Sequence, residues 1–229
     1  MKHSIYLLIC VLGLAGCSGK FKTFIDDFSL AYDTPGDVNL SFEKVRQSKS
    51  DLLYIKLGER TVVALVLGYL ENGQHKWLSA DNKMLIMEKG RIIRTLGLPN
   101  NLLALSNLEA DPLKQGSETI NGKQWQRLID WQTGQYGHQA NSTFENSGLE
   151  TLTYYGHELT TRHITEHVSY HNYSQFSQTQ AISVNEYWID LKTNQLIKSR
   201  QQLSPSSEVF EMVYISRIAR SLDDTDEGV

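Results

Sequence analysis

The chain is short of cysteine, of proline and of long apolar runs. Its only cysteines are Cys10 and Cys17, and Cys10 sits in an amino-terminal apolar stretch, so a disulfide-stapled fold is excluded. Beyond that stretch no segment approaches the ~20 consecutive apolar residues a membrane-spanning helix needs. Neither sign of charge dominates: 22 Lys and Arg stand against 26 Asp and Glu, a formal charge of -4. Nucleic acid and anionic lipid surfaces are therefore not expected partners. Also missing are a G-x-S-x-G nucleophile elbow, a phosphate-binding P-loop and a dinucleotide glycine pattern. No catalytic residue, metal ligand or cofactor is assigned on this basis.

What is present begins with a basic head, Met1-Lys2-His3, an apolar run over residues 5–14 and the small pair Ala15-Gly16. This is the layout of an export signal, and the run is about half the ~20 residues of a transmembrane helix. Leu14-Ala15-Gly16-Cys17 resembles the lipobox of bacterial lipoproteins. It implies cleavage after residue 16 and acylation of Cys17 on its sulfur and on the new amino group. Three acyl chains, at about 0.8 kcal/mol per buried methylene, exceed what stable anchoring requires. Ser18 is not the aspartate that retains such proteins in the inner membrane, so the resemblance implies the periplasmic face of the outer membrane. Residues 1–16 are then the signal, 17–20 the lipidated tether, 21–222 one β-rich domain and 223–229 a disordered acidic tail.

Within the domain, Phe21, Phe24, Ile25, Phe28 and Tyr32 recur at helical spacing, and Thr34-Pro35-Gly36-Asp37 ends the pattern. From Leu52 onward the period changes to that of strands. Gly58-Glu59, Asn72-Gly73, Asp81-Asn82, Lys89-Gly90 and Asn121-Gly122 are the turn pairs. The almost wholly apolar residues 61–67 predict a strand covered on both faces. In Trp125-Gln126-Arg127-Leu128-Ile129-Asp130-Trp131 the alternation puts Trp125, Ile129 and Trp131 on one face and Gln126 and Asp130 on the other. Further strands are expected over residues 184–191, 196–203 and 209–218, a short helix over 101–108, and a long polar loop over 133–150. All four prolines fall outside the proposed strands, as ladder hydrogen bonding requires. The fold expected is mainly β: a single antiparallel β-barrel or strongly curved meander sheet with one or two packed helices.

Three groups of side chains invite chemistry. His163-Ile164-Thr165-Glu166-His167 matches the H-x-x-E-H string of inverted zinc peptidases, with His171 nearby. That site needs a helix, whereas the Thr-, Val- and Ile-rich surroundings favour a strand, which would hold the two histidines roughly 13 Å apart and turn Glu166 to the other face. Trp77, Trp125, Trp131 and Trp188 could stack on sugar rings, although strand tryptophans are more often core. Arg91 and Arg94 could hold an acidic glycan by paired hydrogen bonds, although a solvated face is the ordinary position for such arginines. Trp77, Arg91 and Arg94 are thus candidate glycan or partner contacts, and Cys17 is the lipid anchor.

Trp77-Leu78-Ser79-Ala80-Asp81 and Gly90-Arg91-Ile92-Ile93-Arg94-Thr95-Leu96-Gly97-Leu98-Pro99 resemble the YjbF/GfcB family of lipoproteins associated with exopolysaccharide and group 4 capsule production, as does Tyr187-Trp188-Ile189-Asp190. Residues 133–150 and the histidine-bearing strand have no match in that resemblance. The resemblance implies a non-enzymatic outer-membrane lipoprotein that helps export or assemble a surface polysaccharide. Its partners would be the membrane, through Cys17, and other polysaccharide-secretion proteins or the polysaccharide itself. Two alternatives remain open at this point: a carrier with an apolar cavity in the barrel for an acyl chain, and a zinc hydrolase using His163, Glu166 and His167.

Overall fold

A computed structural model describes residues 36–171 and 181–226. Cys17 and the helical stripe of residues 21–32 lie outside the described residues. Twelve strands form one antiparallel sheet: β1 Leu52–Leu57, β2 Val63–Glu71, β3 Gln74–Leu78, β4 Met84–Glu88, β5 Arg91–Leu96, β6 Leu102–Leu105, β7 Gln124–Trp131, β8 His138–Tyr154, β9 His157–His171, β10 Ala181–Asp190, β11 Leu196–Gln202 and β12 Val209–Val213. Helix α1 spans Phe42–Gln47 and α2 spans Ile215–Asp226.

Strand order is β5-β4-β3-β2-β1-β12-β11-β10-β9-β8-β7-β6, two meanders joined where β12 returns beside β1. The sheet curls until its outermost strands meet. There Leu102 N–H donates to Thr95 Oγ1 at 2.9 Å and Leu98 N–H donates to Asn101 Oδ1 at 3.0 Å, so side chains complete a nearly closed barrel. Closure covers the outer edges of β5 and β6, which an open sheet of this width would expose.

Local sequence explains the hairpins. Asn72-Gly73 and Lys89-Gly90 both have positive φ at both residues, the requirement of a two-residue turn that matches strand twist. Tyr155-Gly156 does the same between β8 and β9. The remaining turn pairs fall between strands as expected, and residues 64–66 of β2 are buried in succession. Trp125, Ile129 and Trp131 do share the inward face of β7.

Inside the barrel, side chains from every meander form one apolar core, including Trp77, Trp125, Phe144 and Tyr214. Outside, α2 lays Ile218 and Leu222 on Leu159 and Ile197, and Ile215 and Ala219 on Val45 of α1. The i, i+3, i+4 spacing of those four helix residues supplies the apolar stripe.

Three expectations are corrected. Of residues 133–150 only 133–137 are a turn: residues 138–154 form β8, the longest of the twelve strands. Its inward side is Ala140, Ser142 and Phe144, and a serine within so short an alternation hides the strand period. Residues 101–108 are not a helix but contain β6, which pairs with β7 and closes the barrel. The strand expected over 209–218 stops at Val213, and α2 then begins at Ile215 and runs through Asp226, into the acidic segment.

Candidate functional site, a charge cluster inside the barrel

The parity of β7, β8, β9 and β10 places polar side chains among the inward apolar ones. Arg127 lies between Trp125 and Ile129, Ser142 between Ala140 and Phe144, Glu166 between Ile164 and Val168, and Asn185 before Tyr187. Arg91 arrives from the start of β5 and Asp111 from the connection between β6 and β7. A side-chain clamp holds the β4–β5 turn against β11: Gln201 Nε2 donates to Gly90 O at 2.7 Å, and Ile92 N–H donates to Gln201 Oε1 at 3.1 Å.

Glu166 is the centre, with 0% of its side chain exposed. Its Oε2 accepts from Arg91 Nη1, Asn185 Nδ2 and the Tyr187 hydroxyl, each at 3.0 Å. Its Oε1 accepts from Ser142 Oγ at 2.6 Å and Arg127 Nη1 at 3.3 Å. Arg91 also grips Asp111 through Nε and Nη2 in a two-pronged pair. Both guanidinium groups lie against the Trp125 ring, 4.4 Å from its centroid for Arg91 and 4.2 Å for Arg127, adding cation–π attraction where water is excluded. Two cations and two anions balance, as burial of charge demands.

Burial alone would raise the Glu166 carboxyl, but Arg91, Arg127 and the hydrogen bonds from Ser142 and Asn185 outweigh it and hold the group down at about 2. For Arg91 burial is likewise outweighed, here by Asp111 and Glu166, and the guanidinium is held well above its ordinary value. Among the described residues Arg127 has no second carboxylate partner, and burial together with Arg91 lowers it. Burial and the neighbouring Glu166 push the Tyr187 phenol far up. Glu166 therefore stays ionised throughout the neutral range. It is tied by five donors and is not poised to exchange protons there. What the arrangement does is cross-link β5, β7, β8, β9, β10 and the residue-111 connection.

The sequence-predicted residues are scattered with respect to this cluster. Arg91 is in it, while Arg94 is exposed on the outer side of β5. Trp77 is buried against Tyr214, with ring centroids 6.0 Å apart at 71°. Trp77 and Arg91 therefore present no surface to a chain in solvent. The H-x-x-E-H segment is strand: Glu166 points inward, and His163 and His167 lie on the outer face. His163 stacks on Trp188 at 4.6 Å and 5°, between Glu150 and Glu186. His167 stands beside Glu145, and His171 beside Asn141. Among the described residues no three His, Cys, Asp or Glu side chains converge as metal ligands.

Sequence reading passed over Arg127, Asp111, Ser142, Asn185 and Tyr187. For Arg127 the signal was available, because it shares the parity of Trp125 and Ile129. A second feature is a cavity of about 180 Å³ between β1, β2, β4 and β12, lined by Ile55, Leu57, Val63, Leu65, Leu85 and Phe210. The exposed Arg60, Asp81 and Lys83 also border it.

Residues 25–215 match the family described as group 4 capsule polysaccharide lipoprotein gfcB, YjbF. The uncharacterized lipoprotein GfcB of Escherichia coli K12 is 32% identical over 213 residues, 92% of this chain and 97% of that one. The uncharacterized lipoprotein YjbF of the same strain is 31% identical over 207 residues, 89% and 92% of the two chains. The crystal structure of the hypothetical lipoprotein YmcC from E. coli K12 superposes with a TM-score of 0.69 at 31% identity, covering 77% of this chain and 88% of that one. The barrel and its sequence thus place this chain in the GfcB/YjbF family of group 4 capsule polysaccharide lipoproteins.

Proposed function

We propose that the protein is an outer-membrane lipoprotein, acylated on Cys17 and facing the periplasm, that assists export or assembly of a capsule or exopolysaccharide without catalysing a reaction itself. The observation that carries this reading is the charge-locked interior on the side of β5, β7, β8, β9 and β10. Glu166, Arg91 and Arg127, at 0%, 3% and 4% side-chain exposure, occupy the place where a ligand-binding barrel would have its cavity. The work then falls to the outer surface, through contacts with neighbouring secretion proteins or with the polysaccharide. The lipobox at residues 14–17 and the capsule association of the family support the compartment and the process. The test is quantification of surface polysaccharide in three strains: parent, full deletion, and Cys17→Ala with the protein still made. Loss in both altered strains is expected. Unchanged polysaccharide in the deletion strain would sink the proposal.

One observation favours a carrier role as a second reading, the apolar cavity of about 180 Å³. Its size is near that of an engineered ~150 Å³ core cavity that admits benzene. It is below the roughly 300–1,000 Å³ of typical small-molecule pockets. It would take the end of an acyl chain and not a whole lipid. A fluorescent fatty acid that binds the parent protein and is displaced by Leu65→Trp would favour the carrier, and no binding at micromolar probe would remove it. The zinc-hydrolase reading is not carried forward, because strand geometry sends Glu166 and the two histidines to opposite faces.

A further inference from the structure

The hairpin of β8 and β9 is longer than the strand that flanks it. β7 pairs with β8 only from Ile129↔His138 to Gln124↔Thr143. The turn before β7 extends that cover by three residues: Gly122 N–H donates to Phe144 O, Phe144 N–H donates to Lys123 O, and Asn146 N–H donates to Asn121 Oδ1. β8 itself continues, paired with β9, to Tyr154↔His157. Among the described residues no strand lies against the other side of residues 147–154.

Every second residue of that run turns its N–H and C=O outward. An uncovered edge is a template for another strand, and proteins usually blunt it with lysine, proline or brevity. Here eight residues, Ser-Gly-Leu-Glu-Thr-Leu-Thr-Tyr, carry no lysine, no proline and one charge. That charge is already engaged: Glu150 Oε2 accepts from Trp188 Nε1 at 2.8 Å. Leu149 is 66% exposed, and Thr151 and Thr153 are exposed beside it. The one protective device is the bulge between Asn146 and Gly148, at the start of the free run and not along it.

We infer that the 147–154 edge of β8 is an interaction surface whose occupant is the same edge of a second copy of this chain, added antiparallel about a two-fold axis. The chemistry of the edge selects that occupant. A nearly uncharged edge offers a differently charged partner nothing to read, whereas against its own copy its single carboxylate, Glu150, is held by Trp188 and sits diagonally to its twin instead of directly opposite it. With the axis near Thr151, Glu150 of one copy faces Leu152 of the other, and Leu149 faces Thr153. The two-fold contact covers both free edges at once and closes, whereas a head-to-tail contact would leave an edge open at each end. An eight-residue edge is smaller than the ~800 Å² per partner of standard interfaces, so the dimer forms where copies are concentrated.

The test uses the full-length chain in its native envelope, with single cysteines placed at Leu149, Thr151, Leu152 or Thr153 and Tyr136→Cys as an exposed control. Antiparallel neighbours are about 4.5–5.5 Å apart between Cα atoms, within the range a disulfide spans. Because a residue meets its own twin only at the axis, oxidation should yield a dimer-mass band at Thr151→Cys, at least about ten-fold over the control. With Thr151→Cys in place, Leu149→Lys combined with Thr153→Lys, which face each other across the axis, should abolish the band while Leu149→Val with Thr153→Val keeps it. No excess over the control at any edge position would overturn the inference. A crosslinked product of another mass would overturn the choice of a second copy, and survival of the Thr151→Cys band in the chain that also carries Leu149→Lys and Thr153→Lys would overturn the edge pairing.

Discussion

Glu166→Gln is the substitution that weighs the buried cluster. The amide keeps the shape of the side chain and removes its charge. Arg91 would retain Asp111, but Arg127 has Glu166 as its only carboxylate partner among the described residues. An amide NH₂ would also face donors from Arg91, Asn185 or Tyr187. Removing one partner of a buried ion pair costs about 3–5 kcal/mol. The depressed carboxyl gives a second route to the magnitude: a pKa of about 2 in place of 4.5 corresponds to about 3 kcal/mol at ~1.4 kcal/mol per pH unit. Both figures are a large share of the roughly 5–15 kcal/mol that holds a typical domain folded. Urea unfolding followed by tryptophan fluorescence measures it, since all four tryptophans are buried. The pH dependence has a definite sign. A carboxyl depressed in the folded state stabilises above its unfolded pKa and ceases to do so as pH falls through its folded pKa. The gap between parent and Glu166→Gln should therefore be about 3 kcal/mol near neutral pH and narrow between about pH 4.5 and pH 2. A gap below about 1 kcal/mol at neutral pH, or one that does not narrow on acidification, would refute this account of the cluster.

Other substitutions separate the remaining contributions. Arg91→Lys should lose the two-pronged pair with Asp111 and the flat contact with Trp125, costing about 2–4 kcal/mol in the same urea assay, whereas a charge-only role predicts almost no loss. Gly90→Ala should cost about 1–3 kcal/mol by thermal unfolding, because φ is +90° and the new Cβ would collide with Leu196 Cδ2. Arg220→Ala should cost less than about 1 kcal/mol and do so only at low salt, since its pair with Asp51 is 55% and 31% exposed.

The parts legible in the sequence were those with a local cause. Asn72-Gly73 and Lys89-Gly90 specify their turns without help from the rest of the chain, and Trp125, Ile129 and Trp131 declare their face by alternation. The same parity argument turned Glu166 away from the histidines. It would also have turned Arg127 inward, had an arginine on an apolar face been followed to a partner. β8 escaped because its inward face includes a serine that hydrogen-bonds Arg127 and Glu166, and because over residues 147–154 one face is exposed and the other only half-buried. The start of α2 escaped because Tyr214-Ile215 extends the apolar alternation of β12, although Ile215, Ile218, Ala219 and Leu222 also fit a helix. Asp111 had no periodic signal at all, since it lies in a connection whose path is set by the pair it makes with Arg91.

Every role proposed for this barrel depends on a tether at Cys17, and mass spectrometry of the amino-terminal peptide from the native envelope tests it most directly. The peptide should begin at Cys17 and carry the mass of three acyl chains. A bare cysteine there, or a chain that still includes residues 1–16, would contradict the proposed compartment and the function with it.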